Sequence, residues 1–130
     1  MEKSTWIETA IDAQKYAYVP YSNFRVGAAL IAADGTVFQG CNIENASFGL
    51  TNCAERTAIF KAVSTGVKDF QCLVITGDTP EPIAPCGACR QVIAEFCDPD
   101  MPIVLVGKDR VQMETTIKEL LPYMFTSKDL

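Results

Sequence analysis

The sequence predicts an α/β fold of three layers, an α-β-α sandwich with helices on both sides of a mixed five-stranded sheet. Three observations carry that expectation. Amphipathic helical stretches alternate with strand-sized apolar runs along most of the 130 residues. Asp34-Gly35 lies between two apolar segments and reads as a hairpin turn, which makes the first two strands antiparallel. Between the apolar run ending at Val106 and a strand candidate beginning at Val111 lie only Gly107, Lys108, Asp109 and Arg110. Parallel neighbours need a crossover of roughly a dozen residues or more, so this last pair is antiparallel as well.

The elements follow in order. Thr5 to Tyr18 reads as a helix: Thr5 and Glu8 have capping-box spacing, Ile7, Ala10, Ile11, Ala17 and Tyr18 share a face, Gln14 interrupts it and Pro20 closes it. Phe24 to Ala33 and Thr36 to Ile43 are the hairpin strands. A loop from Glu44 leads to a helix from Cys53 to Ser64, with Ala54, Ala58, Ile59, Ala62 and Val63 on its apolar face and Gly66 after its end. Phe70 to Ile75 is mostly apolar, as a buried central strand is. After the proline-rich DTPEPIAP come a helix from Cys86 to Phe96, a strand from Pro102 to Val106, the polar strand Val111 to Thr115 and a short helix from Ile117 to Leu121. The layout is α-β-β-α-β-α-β-β-α. No repeat, linker or low-complexity segment divides it, so residues 1–130 read as one domain.

Composition narrows the function classes. The hydrophobic fraction is 48% and the net charge −5. An acidic balance argues against nucleic acid as a partner, because that affinity rests on Lys and Arg neutralising phosphates. It leaves a small neutral substrate open. The N-terminal stretch mixes charges with apolar residues and has no long apolar core, so no signal peptide is expected. No run approaches the ~20 apolar residues of a membrane span. The expected location is cytoplasmic.

The chain has six cysteines and no histidine. In a reducing compartment, clustered cysteines read as metal ligands or catalysts before disulfides. Cys86 and Cys89 form the single Cys-x-x-Cys pair and open a helix after Pro85. Backbone N–H groups at a helix start favour thiolates, so both should ionise easily. Two such thiolates can hold one metal ion or work as a redox pair. An open tetrahedral zinc site needs a third ligand, and Cys53, also at a helix start, is the candidate. Cys41, Cys72 and Cys97 can be small buried hydrophobes, or one of them can close a purely structural site.

Glu55 has two readings. Asn52 is a good N-cap and Glu55 has the capping-box offset from it. Glu55 is also badly placed to share a metal with Cys53, two positions away, which suits a carboxylate that moves protons beside the metal. Arg56 is plainly an exposed helix residue. Alternatively it tempers the excess negative charge of three thiolates by hydrogen bonding to ligand sulfur.

Cys53-Ala54-Glu55 together with Pro85-Cys86-Gly87-Ala88-Cys89 resembles the signature of the zinc deaminases, with cysteine in the place of that motif's histidine. Cys41-Asn42-Ile43-Glu44-Asn45-Ala46 is similar to the nucleoside-binding segment of cytidine deaminases. The similarity extends from Tyr18-Val19-Pro20-Tyr21-Ser22 to Glu119-Leu120-Leu121-Pro122 and is closest to the small, all-cysteine, homotetrameric type. The resemblance implies a cytidine deaminase-like fold and a pyrimidine-salvage enzyme that deaminates cytidine and deoxycytidine to uridine and deoxyuridine. It implies one Zn²⁺ per subunit on Cys53, Cys86 and Cys89, with Glu55 shuttling protons to N3 and to departing ammonia. Asn42 and Glu44 would bind ribose hydroxyls, and Ala46 falls in the same segment. The Ala54 N–H would meet the base carbonyl and the Ala84 carbonyl the amino group. Phe24 would pack on the pyrimidine, although it also reads as ordinary strand core. Phe48 stands where relatives often have tyrosine. Phe125 would reach a neighbouring subunit's site, or else fold onto its own core. The rival readings are a non-enzymatic zinc module and a thiol–disulfide oxidoreductase.

Overall fold

Strand β1, Val26–Ala32, organises the sheet, because it pairs antiparallel with both its neighbours, β2 (Val37–Cys41) and β3 (Phe70–Gly77). The computed structural model describes residues 3–130. Met1 and Glu2, which begin the stretch read for a signal peptide, lie outside the described residues. All seven residues of β1 are buried, as expected of a strand covered on both faces. The β1–β2 turn is the expected hairpin, with the Thr36 N–H donating to Asp34 Oδ1 at 2.9 Å.

The strand order is β2-β1-β3-β4-β5, with β4 at Ile103–Val106 and β5 at Gln112–Thr115. β3 and β4 are parallel, joined across helix α3 (Gly87–Phe96), and β4 and β5 are antiparallel across the short turn. The sheet is mixed and five-stranded as expected, and the two pairs joined by short connections are antiparallel. β5 is an edge strand with three of its four residues exposed, which accounts for its polar sequence.

Side chains alternate between two cores. Ala28 and Leu30 of β1, Leu73 and Ile75 of β3, and Ile103 and Leu105 of β4 face Ala58, Ile59 and Ala62 of α2 (Ala54–Ser64) and Ile93 of α3. Ala29, Ile31, Cys72, Val74, Val104 and Val106 face Ile7 and Ala10 of α1 (Lys3–Ala13). The short α4, Ile117–Leu120, adds Ile117 to the first core. Cys72 and Cys97 are buried in these cores, and burial pushes their thiols up to about 11 and about 12.

The first helix departs from expectation. It starts at Lys3, so Thr5 is no cap; its carbonyl accepts from Thr9 Oγ1 within the helix. It ends at Ala13 and tightens into a 3₁₀ turn over Gln14–Tyr16, well before Pro20. The cause is a tertiary exchange. Buried Gln14 donates through Nε2 to the Arg25 carbonyl, and Arg25 Nη1 donates back to the carbonyls of Gln14, Lys15 and Ala17. The helix-ending carbonyls are satisfied from the start of β1 rather than by another helical turn. The other strands and helices match their expected spans to within a few residues at their ends.

β2 and β3 both run against β1, so they run parallel to each other. The helices that follow them, α2 and α3, therefore begin at the same edge of the sheet, where β1 also begins. At β2 the fit is close: a Cβ added at Gly40 would lie 2.3 Å from the Ala54 carbonyl oxygen and 2.6 Å from the Ala58 N–H nitrogen. Gly40→Ala must lift the first turn of α2 off the strand. It is expected to destabilise the fold by about 2 kcal/mol, the usual scale of overpacking, and to lower the urea midpoint without changing the m-value.

Candidate metal centre and adjoining cavity

Cys53 and Cys86 are the N-caps of α2 and α3, both in extended backbone conformation. Neither cap uses a side-chain hydrogen bond, so their sulfurs are free to point away from the helix axis. Cys89 lies in the first turn of α3 and is fully buried. The three Sγ atoms lie within 4.8 Å of one another, and Cys53 and Cys86 are 3.8 Å apart. Zn–S bonds of ~2.3 Å in a tetrahedron imply sulfur–sulfur edges of about 3.8 Å, so this donor set fits one zinc ion with a fourth position left for a small ligand. No other cysteine among the described residues joins the cluster.

Electrostatics divide the thiols. Arg56 Nη2 donates to Cys53 Sγ at 3.3 Å, and the Cys89 and Cys86 thiols lie close to the same sulfur. Together they lower Cys53 to about 5. The same contact raises the Arg56 guanidinium further above its ordinary value. Arg56 is thus turned inward rather than exposed, and its Nε is buried without a hydrogen-bond partner. Cys89 moves the other way: the neighbouring Cys53 sulfur, its burial and the nearby Glu55 carboxylate all raise it. The expectation that both thiols of the Cys-x-x-Cys pair ionise easily fails at Cys89, because the helix start competes there with burial and a neighbouring thiolate.

The capping reading of Glu55 is also overturned. Cys53, not Asn52, is the N-cap, and the Asn52 amide donates to Thr57 Oγ1 at 2.9 Å. Glu55 is therefore in the second helical position. Its side chain is only 4% exposed, and burial raises its carboxyl above the ordinary range. A protonatable carboxyl is thereby held beside the sulfur cluster.

Glu55 lines a cavity of about 200 Å³ with Phe24, Val26, Asn42, Cys53, Ala54, Ile75, Ile83, Ala84 and Cys86. The cavity is walled mainly by apolar groups, with few polar ones, as small-molecule sites are. Asn42 anchors its rim: Oδ1 accepts from the Val26 N–H at 2.9 Å and Nδ2 donates to the Phe24 carbonyl at 2.8 Å. One N–H and one lone pair of that amide remain. Glu44 and Phe48 line an adjoining groove with Tyr21, Ser22 and Thr51, and the Phe48 ring meets Tyr21 edge-on at 6.1 Å. Ala46 is exposed on the same loop. Phe125 is 57% exposed and stands apart from the cavity of its own chain, its carbonyl accepting from Gln91 Nε2.

Sequence reasoning missed the residues that hold this edge together. Thr57 Oγ1 lies within hydrogen-bonding distance of the Cys41 and Cys53 carbonyls, tying the end of β2 to the cap of α2. Ile43 and Asn52 exchange two backbone bonds of 2.9 Å and close the loop between them. Arg90 donates to the Pro85 carbonyl, just before Cys86, and to the Leu120 carbonyl. Ile83 was hidden in a proline-rich loop with no periodic signal. Only the polar pair Asn52 and Thr57, on an otherwise amphipathic helix start, hinted at a network.

Three comparisons bear on this site. Residues 1–105 match the family model "Cytidine and deoxycytidylate deaminase zinc-binding region". A cytidine deaminase of Sporosarcina psychrophila is 54% identical over 100% of this chain and 96% of its own. One from Halalkalibacterium halodurans is 52% identical over 100% and 98%. The crystal structure of cytidine deaminase from Burkholderia pseudomallei is similar with a TM-score of 0.94 and 50% identity, covering 96% of this chain and 100% of that one.

In metal-free protein, the first thiolate absorbance should rise at a pH below that of an ordinary cysteine, because its neighbours and Arg56 lower Cys53. Arg56→Gln removes one donor to that sulfur and the adjacent positive charge, so the midpoint should move upward. An unmoved midpoint would show that Arg56 does not act on the sulfur.

Proposed function

This chain belongs to the cytidine deaminase family, whose reaction is the hydrolytic deamination of cytidine with release of ammonia, and we propose the residues that perform that reaction here. It is a zinc-dependent hydrolase, and the Cys53/Cys86/Cys89 cluster is able to hold the ion. The observation that carries the proposal is the 3.8 Å sulfur edge opening on a cavity that also holds the buried Glu55.

In this reading Cys53, Cys86 and Cys89 are the zinc ligands and Arg56 offsets their surplus charge. Bound zinc supplies Lewis-acid activation of water. Glu55 does the proton work. Its carboxylate accepts a proton from the attacking water and gives it to N3 of the base as the C4–O bond forms. It then carries the second proton of that oxygen to the amino group, the C4–N bond breaks, and ammonia leaves uridine behind. A carboxyl whose affinity for protons is raised by burial suits both halves of that cycle. The Ala54 N–H donates to the base carbonyl, the Ala84 carbonyl accepts from the amino group, and Phe24 packs on the ring. Their shared position on the cavity wall supports these roles. Asn42 and Glu44 receive the sugar hydroxyls, with Ala46 and Phe48 on the same side. We assign deoxycytidine as a second substrate, pyrimidine salvage as the role and the cytoplasm as the location. No helix among the described residues is long and apolar enough to cross a membrane.

The whole chain acts as one domain, and the assembly we propose is a homotetramer. Its support is the exposure of Phe60, Phe48, Leu50, Tyr123 and Phe125. Within it Phe125 serves a neighbouring subunit's site.

Zinc-loaded protein incubated with cytidine, deoxycytidine, CMP and adenosine should release ammonia from the first two only. Glu55→Gln should keep one zinc per chain and lose about 10³-fold or more of kcat, near the upper end of what general acid–base catalysis contributes. An active variant would remove Glu55 from the mechanism. X-ray absorption at the zinc edge should count three sulfurs and one light atom; four sulfurs would mean a structural site.

A further inference from the structure

The turn Tyr21-Ser22-Asn23 has no assigned part in the reaction, yet it leads from the groove that holds Glu44 to Phe24 on the cavity wall. Asn23 has a left-handed backbone, φ 58°, which asparagine tolerates, and its N–H donates to the Val19 carbonyl. The tight turn this makes brings three donors onto one carboxylate. The Tyr21 and Ser22 N–H groups donate to Glu44 Oε1 at 3.0 and 3.2 Å, and Ser22 Oγ donates to Oε2 at 2.5 Å. Ser22 Oγ in turn accepts from the Phe24 N–H at 3.0 Å. The hydroxyl thus sits in a relay from Phe24 N–H through Ser22 to Glu44, and each bond in such a chain strengthens the next.

We propose that Ser22 is a positioning residue that locks the Phe24 backbone and the Glu44 carboxylate into one unit for receiving the nucleoside's sugar and base. The proposal rests on reading Glu44 as a sugar contact. A carboxylate has about four acceptor positions, and three are occupied by this turn, so one remains for a substrate hydroxyl, in a fixed direction. The Ser22 hydroxyl also holds the Glu44 carboxyl below its ordinary range, so the group stays ionised and acceptor-only. Tyr21 is the other titratable side chain lining this groove. Without the hydroxyl, Glu44 keeps only its two backbone donors and can rotate, and the Phe24 N–H loses its partner. Both changes weaken substrate binding and leave the proton chemistry at Glu55 untouched.

The test is steady-state kinetics of the zinc-loaded enzyme with cytidine. Ser22→Ala should raise KM roughly tenfold, the scale of one hydrogen bond to a charged group, with kcat within about twofold. Ser22→Cys, with similar volume and a weak donor, should raise it as well, and Ser22→Thr, which keeps the hydroxyl, should restore it. Glu44→Gln should raise KM at least as far as Ser22→Ala. The double variant should be no worse than Glu44→Gln alone, because both act through one interaction. A raised KM in Glu44→Gln beside an unchanged KM in Ser22→Ala and Ser22→Cys overturns the role of Ser22 and leaves the sugar site standing. An unchanged KM in Glu44→Gln removes the sugar contact itself. Additive effects in the double variant, or a fall in kcat at constant KM, also overturn the proposal.

Discussion

The antiparallel pairing of β1 with both of its neighbours is the constraint on which the rest depends. It makes β2 and β3 parallel, and it brings the starts of α2 and α3 to one edge of the sheet. Three thiols and a carboxyl from two helices, separated by 33 residues at their first sulfurs, then meet without any long loop. The same edge receives the start of β1, so Phe24 and Val26 line the same cavity as Cys53 and Cys86. A ligand site at the carboxyl ends of strands and the amino ends of helices is the usual outcome in α/β sheets.

Electrostatics at this edge explain how a chain without histidine can manage the chemistry. Three thiolates overbalance a zinc dication, which weakens its effect on water. In the proposed reading, two helix starts and the inward-turned Arg56, which donates to Cys53 Sγ, oppose that surplus. Glu55 is two residues from a ligand and faces the cavity, where burial makes it a better proton acceptor than an exposed glutamate. In the proposed reading the site separates two tasks: sulfur holds the metal, and one desolvated carboxyl moves protons.

Close packing fixes these groups in place. Gly40 lets α2 lie directly on β2, and Gly77 leaves room for the Phe24 ring, whose Cζ would stand 3.2 Å from an added Cβ. Hydrogen bonds then tie the loops to that frame: Thr57 near the carbonyls of Cys41 and Cys53, Arg90 to Pro85, Asn42 to Phe24 and Val26. None of these ties spans more than two or three side chains.

Local signals were enough for the element types, their order and the antiparallel last pair, because periodicity and connection length are properties of neighbouring residues. The sulfur trio was legible too: a Cys-x-x-Cys and one further cysteine, each at a helix start, leave few ways to be arranged. What the chain alone could not show were choices made between partners distant in sequence. Asn52 looks like a cap, yet its amide goes to Thr57, and Cys53 becomes the cap instead. The first helix should run to Tyr18, yet Arg25 and Gln14 end it early by satisfying each other's backbone. Cys89 should ionise easily at its helix start, yet the neighbouring Cys53, burial and Glu55 push its thiol the other way. In each case the local preference is worth about a kilocalorie per mole, and a tertiary hydrogen bond or a desolvated charge is worth at least as much. Tertiary structure therefore decides such positions, and only after the sheet has brought the competing groups together.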